Sequence, residues 1–225
     1  MEDSKKTTSK KSSYTSMNEW IARMKITFEN AKQPAILAAL QTVGYTEARL
    51  DALLDDVATL EGLCETQKME YAEQNAETQK FEQKKEAINA TYLTHRGMAK
   101  ILFKSNLQAQ VALNLGTPTK TAYAEWLRLV SNFYSQLSKS AELNAEVAKI
   151  GIDQTVIDTA LAAIAELTSI KDTQKKETAE AQASTETRDI AFDALYEQYT
   201  ELMGYAKALL KGDQMLEALG VVVKR

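Results

Sequence analysis

The sequence predicts an all-α protein, and three observations lead to this fold class. Only 8 Gly and 2 Pro occur in 225 residues, so the chain has few places at which to reverse direction. Aromatic residues make up 7% of the chain, which argues against a compact core built on bulky side chains. Apolar residues recur at steps of three and four, as they do on one face of an α-helix. Together these features predict an elongated antiparallel bundle of few, very long helices.

The chain aligns with itself at an offset of about 107 residues. Residues 44–104 match residues 151–211 without a gap, and roughly a third of the aligned positions are identical. The densest part of the match reads TQK-x-E-x-AE-x-x-A-x-T and begins at Thr66 and Thr173. A fixed period of this kind indicates duplication. We predict two tandem homologous helical-hairpin units, residues 17–116 and 117–225, after a Lys/Ser/Thr-rich tail, residues 1–16, that we expect to be disordered.

Each unit is predicted to hold a shorter helix, a tight turn and a very long helix. Pro34 is expected to restart or kink the shorter helix of the first unit, because proline is tolerated in a first helical turn and disruptive later. Gly44 is a candidate left-handed C-cap, and Thr46 is a candidate N-cap of the long helix. Gly151 and Asp153 take the same places in the second unit.

The long helices carry a heptad-like pattern of inward positions, which is typical of supercoiled helices. The pattern includes Leu50, Leu53, Val57, Leu60, Cys64 and Tyr71 in the first unit and Ile157, Ala160, Ile164, Leu167 and Leu209 in the second. Its positions are mostly polar between about residues 64 and 85 and between 171 and 188. Either each helix continues through this region, or the chain turns near residues 75–78 and 184–185. We favour the continuous helix.

The ends of the long helices are predicted at Ser105-Asn106 and at Gly212-Asp213. Short helices are expected to follow over residues 107–113 and 215–219. Residues 116–118, which read Gly-Thr-Pro, form the clear linker between the two units.

Catalytic and metal-binding motifs are missing from the sequence. The single histidine, His95, has no Glu or His at a spacing that would make a helical ligand pair, and no Ser-His triad forms without it. The single cysteine, Cys64, lies among leucines and is expected to be a buried, inert thiol. Phosphate-binding glycine loops are also absent. We therefore expect no enzymatic activity, no metal and no cofactor.

Gly97 and Gly204 occupy equivalent places inside the two long helices. A glycine within a helix costs about 1 kcal/mol relative to alanine, so its presence in both copies needs a reason. We favour close helix packing, in which a partner backbone approaches the glycine. A functional hinge is the alternative.

The repeated polar segment is a candidate interface, because identity between the copies is denser there than at the apolar ends. Two equivalent surfaces for a partner would leave such a pattern. The residues assigned to this surface are Gln67, Lys68, Glu70, Glu73, Gln174, Lys175, Glu177 and Glu180.

Net charge and hydropathy limit which partners and which cellular location we expect. The net charge is −4, so we expect no nucleic acid as a partner. No apolar stretch has the length of a membrane span or of a signal peptide, which makes a cytoplasmic location the expectation. Export by a route that needs no signal peptide remains an alternative.

Over most of its length, the chain resembles a group of uncharacterised bacterial tandem α-helical proteins of unknown function. The resemblance rests on Gly151-Ile152, the TQK segment, Arg188-Asp189 and the ending that begins at Gln214. It implies a bacterial origin and a paired-helix architecture, and it implies no activity.

The leading functional expectation is a non-enzymatic structural or scaffolding protein that self-associates through its long helices. Where the inward positions are occupied by Ala, Thr and Gln, the helices bury little apolar area within one chain. Elongated duplicated units can also stack on one another. Two alternatives remain. One is a membrane-active pore-forming or remodelling protein, whose apolar tip would lie at residues 101–103 with 111–115 or at 221–223. The other is an adaptor that binds a helix of a partner protein.

Overall fold

The computed structural model describes residues 16–211 and 214–220. The described residues form helices and no strand, which confirms the all-α fold class. The helices are α1 (Met17–Ala31), α2 (Pro34–Gln41), α3 (Glu47–Leu102), α4 (Leu107–Ala112), α5 (Tyr123–Lys139), α6 (Ala141–Ala148), α7 (Gln154–Leu209) and α8 (Met215–Ala218). Residues 1–15 of the predicted tail, the predicted junction at Gly212-Asp213 and the apolar residues 221–223 lie outside the described residues.

Local sequence signals account for most helix starts. Ser16, which the sequence assigned to the tail, caps α1: its hydroxyl accepts from the N–H of Glu19, whose carboxylate accepts from the N–H of Ser16. Pro34 is the first residue of α2, so the proline restarts the helix rather than kinking it. The equivalent break before α6 was not predicted. There Ser140 caps the new helix by accepting from the N–H of Leu143 at 3.3 Å.

The two long helices are each continuous over 56 residues, and the alternative turns near residues 75–78 and 184–185 do not occur. Their bounds differ by the same 107 positions that align the sequence with itself. Gly44 and Gly151 precede them with φ of 86° and 84°, as predicted for left-handed C-caps. Thr46 and Asp153 cap them, accepting backbone N–H groups at 3.3 Å and 3.0 Å.

The chain forms two compact units in space, which are called unit 1 and unit 2 from here on. Unit 1 comprises residues up to Met69 and from Ala183 onward, and unit 2 comprises Glu70–Gln182. Each unit therefore combines a segment of both sequence repeats, and the predicted linker, residues 116–118, lies within unit 2. Each unit also has its own apolar core. That of unit 1 is built around Phe28, Leu40 and Leu60, and that of unit 2 around Tyr92, Phe133 and Leu167.

The predicted inward pattern is correct at the apolar ends and wrong at two positions. The side chains from Leu50 to Cys64 in that pattern are buried. Tyr71 and Leu209, however, are 42% exposed. Near Tyr71 the inward positions advance from Gln67 by three residues and not by four, because a helix of 3.6 residues per turn drifts against a heptad. The inward place goes to Glu70. At the end of α7, Leu210 is buried in place of Leu209.

Candidate functional site

The centre of the repeated polar segment holds hydrogen bonds between the long helices. In unit 1, the Gln67 side-chain amide donates to the Thr185 hydroxyl at 3.4 Å. In unit 2, Gln174 donates to the Thr78 hydroxyl at 3.1 Å. Gln67 and Gln174 are equivalent residues of the two repeats, as are Thr78 and Thr185. The same pair thus occurs once in each unit with its members exchanged between the repeats.

This reciprocal pairing gives a physical reason for the repeated identities. Gln67 and Thr78 are eleven residues apart, which is three helical turns, so they share one face of α3. When two antiparallel copies of such a helix pair, each glutamine meets the threonine of the other copy. The eleven-residue spacing was visible in the sequence, but the residue that each glutamine contacts was not. Two of the eight predicted interface residues, Gln67 and Gln174, therefore have partners inside the chain.

The outward members of the predicted interface are solvated. Lys68, Glu73 and Lys175 are exposed. Lys68 pairs with Glu65 at 2.5 Å and Lys175 with Asp172 at 3.6 Å, each on its own helix. Such exposed pairs contribute at most about 1 kcal/mol, so these charges remain available to a partner.

The other three predicted interface residues lie together in unit 2. One carboxylate oxygen from each of Glu70, Glu177 and Glu180 lies within 4.8 Å of the others. The ammonium of Lys176 is 3.2 Å from Glu180. Its hydrogen bond to Glu180, together with the attraction of Glu180, Glu177 and Glu70, raises the pKa of Lys176. Exposed acidic groups of this kind are common without a metal ion, and the neighbouring Lys176 ammonium already offsets part of their negative charge. Their arrangement is that of a charged surface.

The two repeated glycines have no packing partner among the described residues. Gly97 and Gly204 are exposed, and a Cβ added to either would meet no atom within 4 Å. The close helix packing predicted for them is therefore not present among the described residues.

We expect Gly97→Ala and Gly204→Ala each to raise the free energy of unfolding by up to about 1 kcal/mol, because alanine removes the helical cost of glycine. Gly62→Ala is the matched control for a helical, exposed glycine that is not repeated, because the second repeat has Ser169 at the equivalent position. Gly151→Ala should instead lower the stability by about 1–2 kcal/mol, since its φ of 84° is left-handed. Urea titrations measure all four. A loss of stability in Gly97→Ala would contradict the exposed geometry.

His95 forms a polar pair with Tyr134. Its Nδ1 lies 3.0 Å from the tyrosine hydroxyl, and burial lowers the pKa of the imidazole. The residue equivalent to His95 in the second repeat is Leu202. With Trp20 aligned on Trp126, the residue equivalent to Tyr134 in the first repeat is Phe28. A partly buried neutral histidine therefore replaces an apolar contact in unit 2.

The lowered pKa of His95 predicts a pH-dependent stability. Between its pKa in the folded protein and about 6.5 in the unfolded chain, the unfolded chain binds more protons, so stability is present above about pH 6.5 and is lost as the pH falls. His95→Leu, which introduces the residue of the equivalent position, should flatten the urea midpoint between about pH 7.5 and pH 5.5. Since the chain has 1 His, no other imidazole titrates in this window. An unchanged slope in the variant would refute the assignment.

Cys64 is a buried thiol, as predicted. It is 8% exposed, its sulfur lies 4.0 Å from that of Met17, and burial raises its pKa. The reactive thiolate is thereby disfavoured at neutral pH.

Within the part of the chain that the structure describes, the most exposed large apolar side chains lie at the end of α3 and on α4. Ile101, Leu107 and Val111 are 80%, 74% and 69% exposed, and we call these three residues the α4 patch. Leu107 and Val111 are four residues apart and share a face of α4. The Gln110 side chain holds α4 against the end of α3 by donating to the carbonyls of Phe103 and Lys104 at 2.9 Å and 2.8 Å.

The other repeat lacks this patch. The residues equivalent to Ile101, Leu107 and Val111 are Ala208, Gln214 and Ala218. Within the apolar tip predicted at residues 101–103 and 111–115, Phe103, Leu113 and Leu115 are buried. The signal that identifies the patch is the difference between the repeats rather than hydropathy alone.

Comparisons with known proteins found no match: no protein family, no curated protein and no solved structure matches the chain. Among the described residues, no helix combines the length and the hydropathy needed to cross a bilayer.

Proposed function

We propose that this protein is a non-enzymatic scaffold, built from two tandem homologous helical-hairpin units, that associates with further copies of itself. The observation that carries the proposal is the α4 patch. Its three large aliphatic side chains lie within eleven residues and are 69–80% exposed. Covering this apolar surface with a partner removes it from water, which stabilises the complex. The two long helices have equal lengths and bounds that lie 107 residues apart, which supports the duplication.

The charge distribution favours a contact between unlike surfaces of two copies. Residues 87–124 contain no Asp or Glu, and Lys100 and Lys104 flank Ile101. A symmetric contact through the α4 patch would bring these lysines of both copies together, which costs free energy. The described part of unit 1 holds fourteen Asp and Glu against eight Lys and Arg, whereas unit 2 holds fourteen against thirteen. The acidic surface of unit 1 of a second copy is the complementary partner.

A contact of this heterologous kind repeats without closing unless its rotation forms a ring. The expected products are therefore filaments or rings. Because oppositely charged exposed groups contribute, added salt should weaken the association.

The test is sedimentation velocity over a concentration series, with negative-stain micrographs of the same samples. Wild-type protein is expected to form larger species as its concentration rises. The variant Ile101→Ala/Leu107→Gln/Val111→Ala carries the residues of the other repeat and should associate at least about a hundredfold more weakly, because three aliphatic side chains are lost from the contact.

Leu93→Ala is the matched control, since Leu93 is 43% exposed in unit 2 and lies outside the α4 patch. It should associate like the wild type. Wild-type protein that stays monomeric at high concentration by light scattering, with no filaments or rings in micrographs, would rule out the scaffold.

The second candidate function is attachment to an anionic membrane surface. It is favoured by the same lack of acidic residues over positions 87–124, together with Lys100, Lys104 and the exposed aliphatic side chains. Aliphatic groups that enter the headgroup region and adjacent lysines are the usual elements of such binding. Flotation with phosphatidylserine-containing liposomes distinguishes it from self-association, because only this candidate requires lipid. An adaptor role has no comparable support.

A further inference from the structure

Unit 2 contains a cavity of about 310 Å³ between its segments of α3 and α7. This volume is at the lower end of the range of roughly 300–1,000 Å³ found for small-molecule sites. Its wall is largely aliphatic, and its main apolar residues are Ala87, Ile88, Val156, Ala160 and Ala163. The Tyr134 ring of α5 also lines it.

The corresponding groove of unit 1 is an internal reference, and its chemistry differs. Arg49 lines that groove and donates to the Gln198 side chain at 2.9 Å, and Asp56 lines it as well. In unit 2 the residues equivalent to Arg49, Gln198 and Asp56 are Val156, Thr91 and Ala163. After duplication, one groove thus holds charges in its wall and the other is apolar there.

A charged pair lies at the edge of the unit 2 cavity instead. Lys84 lines the cavity and forms an ion pair with Glu166, where the other repeat has Ala191 and Thr59. The Lys84 side chain is 30% exposed and that of Glu166 is 58% exposed. An ion pair with one well-solvated partner contributes little, so a ligand carboxylate can replace Glu166 beside Lys84 while Glu166 turns to solvent.

Lys84 carries the one charge of the wall, and three of the four other polar side chains of the wall, all but Thr155, are already hydrogen-bonded. The hydroxyls of Thr91 and Thr159 donate to helix carbonyls at 3.1 Å and 2.7 Å. The Tyr134 hydroxyl is hydrogen-bonded to His95. An ammonium group beside an aliphatic cavity matches a molecule with an apolar body and one negative charge.

We infer that unit 2 binds a small anionic amphiphile, an aliphatic carboxylate of medium length. Its apolar body lies among Ala87, Val156 and Ala160, and its carboxylate pairs with the Lys84 ammonium. This binding is independent of self-association, since the cavity and the α4 patch share no residue.

The experiment is methyl NMR of the full chain during titration with sodium octanoate below its micellar concentration, and in parallel with 1-octanol. The methyl signals of Ile88 and Val156 should shift and saturate, whereas those of Leu53 and Leu195 in the unit 1 groove should not. Octanoate should bind about tenfold more tightly than octanol, because only octanoate gains a charged hydrogen bond.

Variants separate the two elements of the site. Lys84→Gln should abolish the preference for octanoate, and Lys80→Gln is its control, because Lys80 pairs with Glu77 and does not line the cavity. Glu166→Gln should tighten octanoate binding only, by removing its competitor. Ala160→Leu introduces the bulk of Leu53 and should block both ligands. If Ala160→Leu disturbs folding, Ala163→Asp, the residue of the other groove, should weaken octanoate selectively.

The proposal is overturned if Ile88 and Val156 show no saturable shift with octanoate. It is also overturned if the unit 1 methyl groups respond equally, or if octanoate and octanol bind with equal affinity to the wild type.

Discussion

Arg96→Ala is expected to lower the free energy of unfolding by about 3 kcal/mol. Arg96 is only 7% exposed, and its guanidinium donates to the backbone carbonyl of Leu115 at 3.0 Å and to that of Thr117. Hydrogen bonds from a charged donor contribute about 1.5–3 kcal/mol each, and truncation leaves the carbonyls without this partner. Arg96 therefore holds the segment that follows α4 against α3.

The local consequence should be visible by proteolysis as well as by denaturation. With Leu115 and Thr117 released, trypsin is expected to cleave faster after Lys120, whose side chain is 44% exposed. Arg128→Ala is the matched control, because Arg128 is exposed, and it should change stability by less than about 0.5 kcal/mol. Equal stability of the two variants in urea would show that the Arg96 hydrogen bonds contribute nothing net.

Features that depend on a few neighbouring residues could be predicted from the sequence. Gly44, Thr46, Gly151 and Asp153 were assigned correctly, because a left-handed residue followed by a capping side chain is a local signal. Pro34 was correct for the same reason. The equivalent break at Ser140 was missed, since one serine is a much weaker signal than a proline.

Features that depend on which helices meet could not be predicted. Gln67 and Gln174 were assigned to a candidate interface, because a glutamine in a polar stretch gives no sign of a threonine on another helix of the same chain. The composition of the compact units was equally hidden: the repeat predicts halves, whereas each unit takes segments of both.

The cavity was invisible for a different reason. Ala87 and Ala160 are good helix formers, so in the sequence they read as ordinary positions of a long helix. Only the pairing of α3 with α7 shows that small residues face one another there. Comparison with Leu53 and Arg49 then shows that the two copies have diverged in chemistry.

The polar middle of the long helices makes each unit depend on its own apolar cluster, and this leads to the second large expected effect. Leu60 and Leu167 are equivalent residues, each fully buried, in the clusters of unit 1 and unit 2. We expect Leu60→Ala and Leu167→Ala each to lower the free energy of unfolding by about 2–5 kcal/mol, because truncation removes apolar burial and leaves a cavity.

Hydrogen exchange locates the effect of each variant. Leu60→Ala should accelerate exchange of the amides that surround Leu60 in unit 1, and Leu167→Ala those that surround Leu167 in unit 2. Leu93→Ala is the matched control, because that leucine is 43% exposed on the same long helix as Leu60 and lies outside both buried clusters. A loss in Leu93→Ala as large as that in Leu60→Ala would contradict the assignment of the cores, since an exposed truncation leaves no cavity and should cost less than about 1 kcal/mol.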